Sequence, residues 1–159
     1  MRNFHEEEFQ TMIHLKPVSV DNWYACTQLN VTEEQRKSFP APVVYWIAES
    51  KVVTDFRPTA IYYDSDLVGF SVYSDQPDHE DNYWLLALMV DTKYQGRGYG
   101  KESLRQLIDL MKESLKCKRI MIGHRPENGI AGNLYESLGF HRVNEGLIDG
   151  EVVRLLRCK

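Results

Sequence analysis

The segment YWLLALMVDTKYQGRGYGKESLRQLIDLMKESL, residues 83–115, decides the fold because three different patterns follow one another without a break. Residues 83–91 form a nearly unbroken apolar run, which is typical of a strand buried on both faces. Glycines at 96, 98 and 100 then give the backbone unusual freedom. The residues that recur at helical spacing after them form one apolar stripe: Leu104, Leu107, Ile108, Met111 and Leu115. The segment predicts a strand, a glycine-rich turn and a helix in succession.

The glycine-rich turn has three interpretations: a phosphate cradle, a tight turn without a ligand, or a flexible hinge. A helix N-terminus offers unpaired N–H donors and the positive end of the helix dipole, which suits a phosphate group. A dinucleotide fingerprint starting at Gly96 would require glycine in place of Lys101. A P-loop would require glycine in place of Gln95 and Ser or Thr in place of Glu102. Both fingerprints fail, and residues 95–100 instead match the pattern Q/R-x-x-G-x-G/A.

The rest of the chain alternates strand and helix patterns around this segment. Strands are predicted at 11–18, 59–64, 66–74 and 118–123, helices at 19–29, 40–55 and 128–140, and a closing hairpin at 140–156. Ser19 or Asp21 is the predicted cap of the first helix, Pro40, Pro42 and Pro58 bound the second, and Gly139 ends the last. Tight turns are predicted at Asp64-Ser65-Asp66 and Asp149-Gly150. The order, with antiparallel hairpins and one strand–helix–strand crossover, predicts an α/β fold with a mixed sheet.

Composition limits the classes of function. The chain has 159 residues and no linker-like tract, so a single domain over 1–159 is expected. A net charge of −4 and a pI near 5.7 argue against a nucleic-acid partner and are compatible with a cationic one. Three cysteines without CxxC spacing predict neither a disulfide framework nor a zinc site, and no metal is expected. Without a signal peptide or a long apolar run, no membrane association is expected and the cytoplasm is the expected compartment.

A second motif lies in NGIAGNLYESLGFHRV, residues 128–143. It fits N-x-x-A-x-x-x-Y-x-x-x-G-F through Asn128, Ala131, Tyr135, Gly139 and Phe140. Together with the glycine-rich turn, this motif resembles the GNAT superfamily of acetyl-coenzyme A-dependent N-acetyltransferases over nearly the whole chain. The resemblance implies a mixed, mostly antiparallel central sheet with a β-α-β crossover and flanking helices. Relatives are commonly dimers, so a homodimer is a further expectation.

The resemblance also implies where acetyl-coenzyme A binds. Backbone N–H groups of residues 96–101 would receive the pyrophosphate. The end of the apolar strand would pair with the pantetheine arm, because this strand and the next, near residues 120–123, splay apart in the family. The implied coenzyme contacts are Leu88, Met89, Val90, Gln95, Gly96, Arg97, Gly98, Tyr99, Gly100, Lys101, Asn128, Ala131 and Tyr135.

The reaction implied by the resemblance is direct attack of a neutral amine on the acetyl thioester through a tetrahedral intermediate. The N–H of Met89 would stabilise the oxyanion. Tyr135 would protonate the departing thiolate, for which a phenol with a pKa near 10 is suited. The alternative for Tyr135 is a helix tyrosine packed at the edge of the core. No cysteine is required as a nucleophile.

The general base stays open at this point. Many relatives carry a carboxylate on the central strand, but here that strand has none before Asp91, which is better explained as a turn or capping residue. The remaining candidates are Glu33 and Glu34, the acidic cluster at residues 78–81, or a chain of water molecules.

The acceptor amine is indicated by further resemblance, within the superfamily, to bacterial spermine/spermidine acetyltransferases. Residues 60–74, 94–101, 115–122 and 150–153 carry it. A polyamine prefers an acidic groove, and aromatic rings bind its charges and cover its methylenes. The predicted substrate contacts are Glu33, Glu34, Glu80 and Trp84. Another small amine, an aminoglycoside or a protein amine stays an alternative acceptor, and a non-catalytic coenzyme sensor is an alternative function.

Overall fold

A computed structural model of the chain describes residues 12–37, 39 and 41–159. The strands within these residues are β1 Ile13–Pro17, β2 Phe56–Tyr63, β3 Asp66–Ser74, β4 Tyr83–Val90, β5 Arg119–His124, β6 His141–Arg142 and β7 Val152–Arg157. The helices are α1 Trp23–Thr27, α2 Val43–Val52, α3 Tyr99–Leu115 and α4 Gly129–Ser137. Short 3-10 turns cover Gln35–Lys37 and Thr92–Tyr94. Thr11 and Pro40, which the sequence assigns to the first strand and the second helix, lie outside the described residues.

The seven strands of the described chain form one sheet in the order β1-β2-β3-β4-β5-β7-β6. β4 and β5 are parallel because α3 carries the chain back between them, and each other pair of neighbours is antiparallel. This architecture confirms the predicted mixed, mostly antiparallel α/β fold with one crossover. In the part of the chain that the structure covers, no helix has the length and apolar character needed to cross a membrane.

A β-bulge in β4 explains how one strand packs on both faces of the sheet. Ala87 lies opposite Val72 and Leu85 lies opposite Tyr73, so Leu86 is the extra residue of β4. A bulge reverses the alternation of side chains along a strand. Leu85 therefore packs with the core under α3 and α4, whereas Ala87 and Met89 pack with the core under α1 and α2. The predicted burial of β4 on both faces is confirmed.

The apolar stripe of α3 lies against the sheet as predicted. Leu104, Leu107, Ile108 and Met111 are buried in one cluster with residues of β5 and α4, and Leu115 packs against it half-buried.

Strand β2 begins at Phe56, earlier than the predicted residue 59, and Pro58 lies inside it. The Pro58 carbonyl accepts a hydrogen bond from Val18 N at 3.1 Å, so the backbone of Pro58 faces the β1 side of β2. The last β1–β2 pair is Pro17–Thr59. The N–H position of Pro58 faces the same side, at the end of the β1–β2 ladder, so proline removes no hydrogen bond between β2 and β3, which is why the strand tolerates it there.

Two further predicted element boundaries were wrong. The first helix spans five residues after an N-cap at Asn22, not at Ser19 or Asp21. The side chain of Asn22 instead accepts a hydrogen bond from Ser19 N at 2.8 Å, and Ser19 Oγ accepts from Asp21 N, so residues 19–22 form a turn. The closing hairpin turns at Asp149-Gly150 as predicted, with both residues at positive φ, but its first strand is only β6.

Candidate active site

Strands β4 and β5 part near the middle of the sheet. Their parallel pairs are Tyr83–Ile120, Trp84–Met121 and Leu85–Ile122, and β4 continues for five residues past the last pair. Beyond Ile122, β5 stays paired with β7 on its other side. The edge of β4 that faces the gap therefore offers backbone groups to an extended ligand, which binds such an edge as an added strand does.

Only alternate residues of β4 present their backbone to this edge. Asp91 N donates to Val68 O at 2.8 Å, so Asp91 faces β3, and Val90 O accepts from the Gln95 side chain on the opposite side. Alternation along the strand then turns the backbone of Met89 toward β3, opposite Phe70. The prediction that Met89 N–H stabilises an oxyanion in the gap was therefore wrong. The donors on the open edge belong to Leu88 and Val90.

The glycine-rich turn leads directly from this edge into α3. Gly96 and Gly98 have φ of +79° and +82°, the left-handed region that favours glycine, and Gly98 is the N-cap of α3. Glu102 N already donates to Gly98 O at 3.2 Å, so the free N–H donors of the first turn are those of residues 99–101. Free N–H donors at a helix N-terminus are suited to bind an anion.

Side chains at both ends of the turn tie it to the segment after α1. Asp91 Oδ2 accepts from Asn30 N at 2.9 Å, and its Oδ1 accepts from Lys93 N at 3.0 Å. The side-chain amides of Gln95 and Gln35 bond each other reciprocally at 2.8 and 3.0 Å. The capping role predicted for Asp91 is confirmed. Gln95 anchors the turn through its side chain.

The other predicted residues of the turn divide into packed and exposed side chains. The Tyr99 ring stacks on Tyr63 at 4.6 Å between centroids, so its side chain holds the helix start on the sheet. Arg97 lies over the Tyr94 ring at 5.6 Å and is exposed, as is Lys101. Two cations therefore flank the anion-binding donors. Gly100 lies inside the helix, half-buried.

Tyr135 projects from α4 toward the end of β5. It is 8% exposed, and its ring lies 5.8 Å from His124 and 6.1 Å from Phe140. Burial, and secondly the charge of Glu151, raise the pKa of Tyr135 to about 12. The phenol is therefore protonated throughout the neutral range and is available as a proton donor.

His124, the last residue of β5, was not indicated by the sequence. Its Nε2 accepts from Arg154 Nε at 3.1 Å, because a guanidinium only donates. Nδ1 must then carry the proton, and it donates to Arg125 O at 2.8 Å. Both ring nitrogens are engaged, so His124 orients its neighbours and is a poor candidate for the missing base. Its ring lies so close to Gly132 that α4 requires a small residue there.

Asn128 and Ala131 both have structural roles at the start of α4. Asn128 is the N-cap, and its Oδ1 accepts from Ala131 N at 3.2 Å. Ala131 packs half-buried against the core under α3. Their predicted contacts with the coenzyme stay predictions.

Met89 contributes its side chain to a cavity of about 310 Å³ on the α1 and α2 face of the sheet. The other lining residues are Thr27, Leu29, Asn30, Val31, Arg36, Phe39, Ala41, Pro42 and Val43. Most of these residues are apolar, but polar atoms form the larger part of the exposed lining, and the one charged residue among the described lining residues is a cation, Arg36. Glu33 and Glu34, predicted to bind substrate, are exposed in the turn nearby and do not belong to this lining.

The acidic loop before β4 is organised by Asp78. Its Oδ2 accepts from Trp84 Nε1 at 2.8 Å, and its Oδ1 accepts from the backbone N–H groups of Glu80 and Asn82. Trp84 packs against an apolar cluster on β5 and β7, and the Glu80 side chain is exposed. Of the two predicted substrate contacts in this region, Trp84 is thus already engaged through its N–H, and the exposed Glu80 side chain lies 3.6 Å from His79 Nε2.

Asp78→Ala is expected to lower the free energy of unfolding at pH 7 by about 1–3 kcal/mol, since it removes several hydrogen bonds to a charged acceptor. Burial alone would raise the pKa of Asp78, but the hydrogen bonds from Trp84, Asn82 and Glu80 outweigh it and lower the pKa. The contribution is therefore complete above the unfolded-state pKa and is lost as the pH falls through the lower folded-state value. Urea unfolding at pH 7 and pH 2.5, with exposed Glu80→Ala as control, checks this; an equal loss at both pH values contradicts it.

Glu151, at the start of β7, also lies at the parting of the strands and was missed by the sequence analysis. A methyl group on Gly123 would overlap its Oε2 atom. A glycine inside a strand pattern indicates a close approach of another group, and Gly123 was the residue of the sequence that indicated it.

In the described residues, no group of three or more His, Cys, Asp or Glu side chains is arranged to hold a metal ion.

Known proteins share both the sequence and the fold. The model of the acetyltransferase (GNAT) family matches residues 18–140. Spermine/spermidine N(1)-acetyltransferase of Bacillus subtilis (strain 168) is 36% identical over 146 residues, which is 89% of this chain and 95% of the relative. Spermidine N-acetyltransferase from Vibrio cholerae, solved with CoA and spermine, has a TM-score of 0.72 at 15% identity, covering 92% of this chain and 94% of its own. An aminoglycoside acetyltransferase solved with coenzyme A has a TM-score of 0.75 at 15% identity, covering 91% and 94%.

The family match includes β4, the glycine-rich turn, α3 and the helix that bears Tyr135. The similarity to the Bacillus subtilis relative covers 89% of this chain. On this evidence the chain belongs to the acetyltransferase (GNAT) family.

Proposed function

We propose that this protein is an acetyl-CoA-dependent N-acetyltransferase that acts on a primary amine of a small polycation, spermine or spermidine. The observation that carries the transferase activity is the open edge of β4, which connects the anion-binding turn at one end with the region of Tyr135 at the other. The polyamine acceptor is supported by the Bacillus subtilis relative and by the negative net charge of the chain.

The residues along this path fit the coenzyme. The N–H donors of residues 99–101 would hold the pyrophosphate, with Arg97 and Lys101 as flanking cations. The backbone of Leu88 and Val90 would hold the amide groups of the pantetheine arm. Asn128 and Ala131 would border that arm from the start of α4. Acetyl-CoA, when bound, supplies an acetyl group activated as a thioester.

Two residues of the chain would then promote transfer. Leu88 N–H, on the open edge, would donate to the acetyl oxygen as negative charge develops on it, in place of the predicted Met89. Tyr135 would give its proton to the departing sulfur. The buried phenol, whose pKa is raised to about 12, is fully protonated at neutral pH and so carries the proton that the departing sulfur requires.

A different amine is the second candidate because of the cavity beside Met89. A lining that combines apolar side chains with polar groups and Arg36 suits an acceptor that carries an anionic or uncharged polar group next to its amine. A polycation would gain nothing from that cation and would have to use the exposed carboxylates of Glu33, Glu34 and Glu80 instead.

Thiol release from acetyl-CoA should be measured against spermine, spermidine, putrescine, an aminoglycoside and a lysine peptide. The highest kcat/KM is expected with spermine or spermidine. In the Glu33→Gln/Glu34→Gln double variant, the KM for spermidine is expected to rise about 2- to 5-fold with kcat unchanged, because exposed charges attract the substrate weakly. Lys37→Gln, in the same turn, serves as the control.

Selectivity for the peptide or the aminoglycoside would contradict the polyamine proposal while retaining the transferase. Tight coenzyme binding without turnover of any amine would contradict both and favour a coenzyme sensor.

A further inference from the structure

The side chain of Glu151 makes no polar contact with the described residues that would explain a structural role. It is half-buried at the start of β7. Neither a hydrogen bond nor an ion pair joins its side chain to the residues that the structure describes. Its Oε2 atom lies directly against Gly123, where any side chain would displace it. Because this half-buried carboxylate has no partner among the described residues, it is available to a cationic group of a ligand.

The position of Glu151 relative to the sheet can be read from its neighbours. Gly123 directly follows Ile122, the last residue of β5 that pairs with β4. Ile122 faces the core under α3 and α4, so Gly123 faces the opposite side, the side of Met121 and Val153. Glu151 directly precedes β7, and its Oε2 atom lies where a side chain of Gly123 would be, so the carboxylate is on that side too. The carboxylate therefore lies at the mouth of the gap on the face opposite α4.

Tyr135 reaches the same gap from the other face. It belongs to the core under α3 and α4, yet the charge of Glu151 acts on its phenol. His124 also lies next to Tyr135, and its Nε2 accepts from Arg154 Nε. Neither forms an ion pair with Glu151. A proton acceptor and a proton donor thus flank the gap from opposite sides.

The remaining carboxylates of the candidate site are less suited to bind an amine in the gap between β4 and β5. Asp91 and Asp78 are engaged in capping and hydrogen bonding within the chain. Glu33, Glu34 and Glu80 are exposed on outer turns. We propose that Glu151 is a further catalytic residue, which binds the ammonium group of the acceptor and removes its proton before attack. This inference rests on the proposed transferase activity and holds for any primary amine.

The proposed step conserves protons and bonds. The ammonium group passes one proton to the Glu151 carboxylate, and the neutral nitrogen forms a C–N bond to the acetyl carbon of the thioester. The C–S bond breaks with its electron pair on sulfur, and sulfur takes the proton of Tyr135. The surplus proton on the new amide nitrogen replaces the one that Tyr135 lost, and the proton on Glu151 leaves to solvent. The products are an N-acetyl amide, a thiol and one proton.

The test compares Glu151→Gln with Glu136→Gln, an exposed glutamate on α4 next to Tyr135. Glu151→Gln is expected to lower kcat about 100-fold at pH 7, raise the KM of the amine, and leave the Kd of acetyl-CoA unchanged by calorimetry. Because the base is gone, its kcat should rise about 10-fold per pH unit toward the pKa of the amine. Glu136→Gln should match the wild type in all of these measurements.

Gly123→Ala tests the same proposal without removing the carboxylate. Gly123 does not have a positive φ, so alanine is compatible with the backbone, and its methyl group displaces only the flexible end of Glu151. A lower kcat with normal coenzyme binding is expected, and adding Glu151→Gln to this variant should lower kcat little further than Glu151→Gln does alone.

Wild-type assays with the whole amine panel separate the two proposals. If the wild type acetylates an amine and Glu151→Gln keeps its kcat and pH profile, the role of Glu151 is refuted and the transferase stands. If Glu151→Gln binds acetyl-CoA normally but loses kcat as described, the role is supported. If the wild type binds acetyl-CoA and acetylates no amine, the proposed function is refuted and the role of Glu151 with it.

Discussion

Tyr135→Phe is expected to lower kcat by about 10²- to 10⁴-fold, the usual contribution of a general acid, and to leave the Kd of acetyl-CoA unchanged. The phenyl ring preserves the contacts with His124 and Phe140, so the fold should be retained. Only the ionisable hydroxyl group is lost. Burial raises its pKa to about 12, so wild-type kcat should show no loss of the acid between pH 7 and pH 10.

The measurements for Tyr135→Phe are steady-state kinetics at saturating acetyl-CoA and calorimetric binding of the coenzyme. Tyr63→Phe, which removes a hydroxyl group from the ring stacked on Tyr99, is the matched control and should retain the wild-type kcat. If Tyr135→Phe also retains it, the tyrosine is a packing residue at the edge of the core and the sulfur takes its proton from solvent.

Local sequence patterns were sufficient to predict the order of the helices and strands and the apolar face of α3. The stripe of α3 and the αL glycine after α4 follow from spacing and backbone chemistry within a few residues. The cap at Asp91 likewise depends on its own turn. The glycine-rich turn and the motif around Tyr135 were recognisable because each lies in one continuous stretch of the chain.

Features that depend on pairing between distant strands were not predictable in this way. The bulge at Leu86 and the tolerance of Pro58 depend on which residues of the neighbouring strand lie opposite. The orientation of Met89 N–H depends on the register with β3. Glu151 meets Gly123 only because β7 pairs with β5 across a separation of about 30 residues. Gly123 indicates that some group approaches closely, but nothing local in the sequence indicates which residue of a distant strand lies opposite.

Gly98→Ala is expected to raise the Kd of acetyl-CoA at least about 10-fold and to change kcat little at saturating coenzyme. Two effects contribute. Gly98 has a φ of +82°, where a side chain costs about 1–2 kcal/mol. The protein leaves the space around its missing side chain open, since no atom beyond its chain neighbours lies within 4 Å of an added Cβ. If a phosphate group binds the donors of residues 99–101, a methyl group there obstructs its approach.

Gly150→Ala separates these two effects. Gly150 has a φ of +79° and equally open surroundings, but it lies in the β6–β7 turn, away from α3. Both alanine variants should therefore lose similar unfolding free energy, and only Gly98→Ala should lose coenzyme affinity by calorimetry. Gly98→Asn, which tolerates the left-handed conformation, should lose affinity with less loss of stability. Equal Kd values of acetyl-CoA for Gly98→Ala and Gly150→Ala would instead mean that Gly98 only permits the backbone turn. A phosphate-binding turn must lose affinity when a methyl group is placed where the phosphate binds, whereas a tight turn or a hinge without a ligand would not.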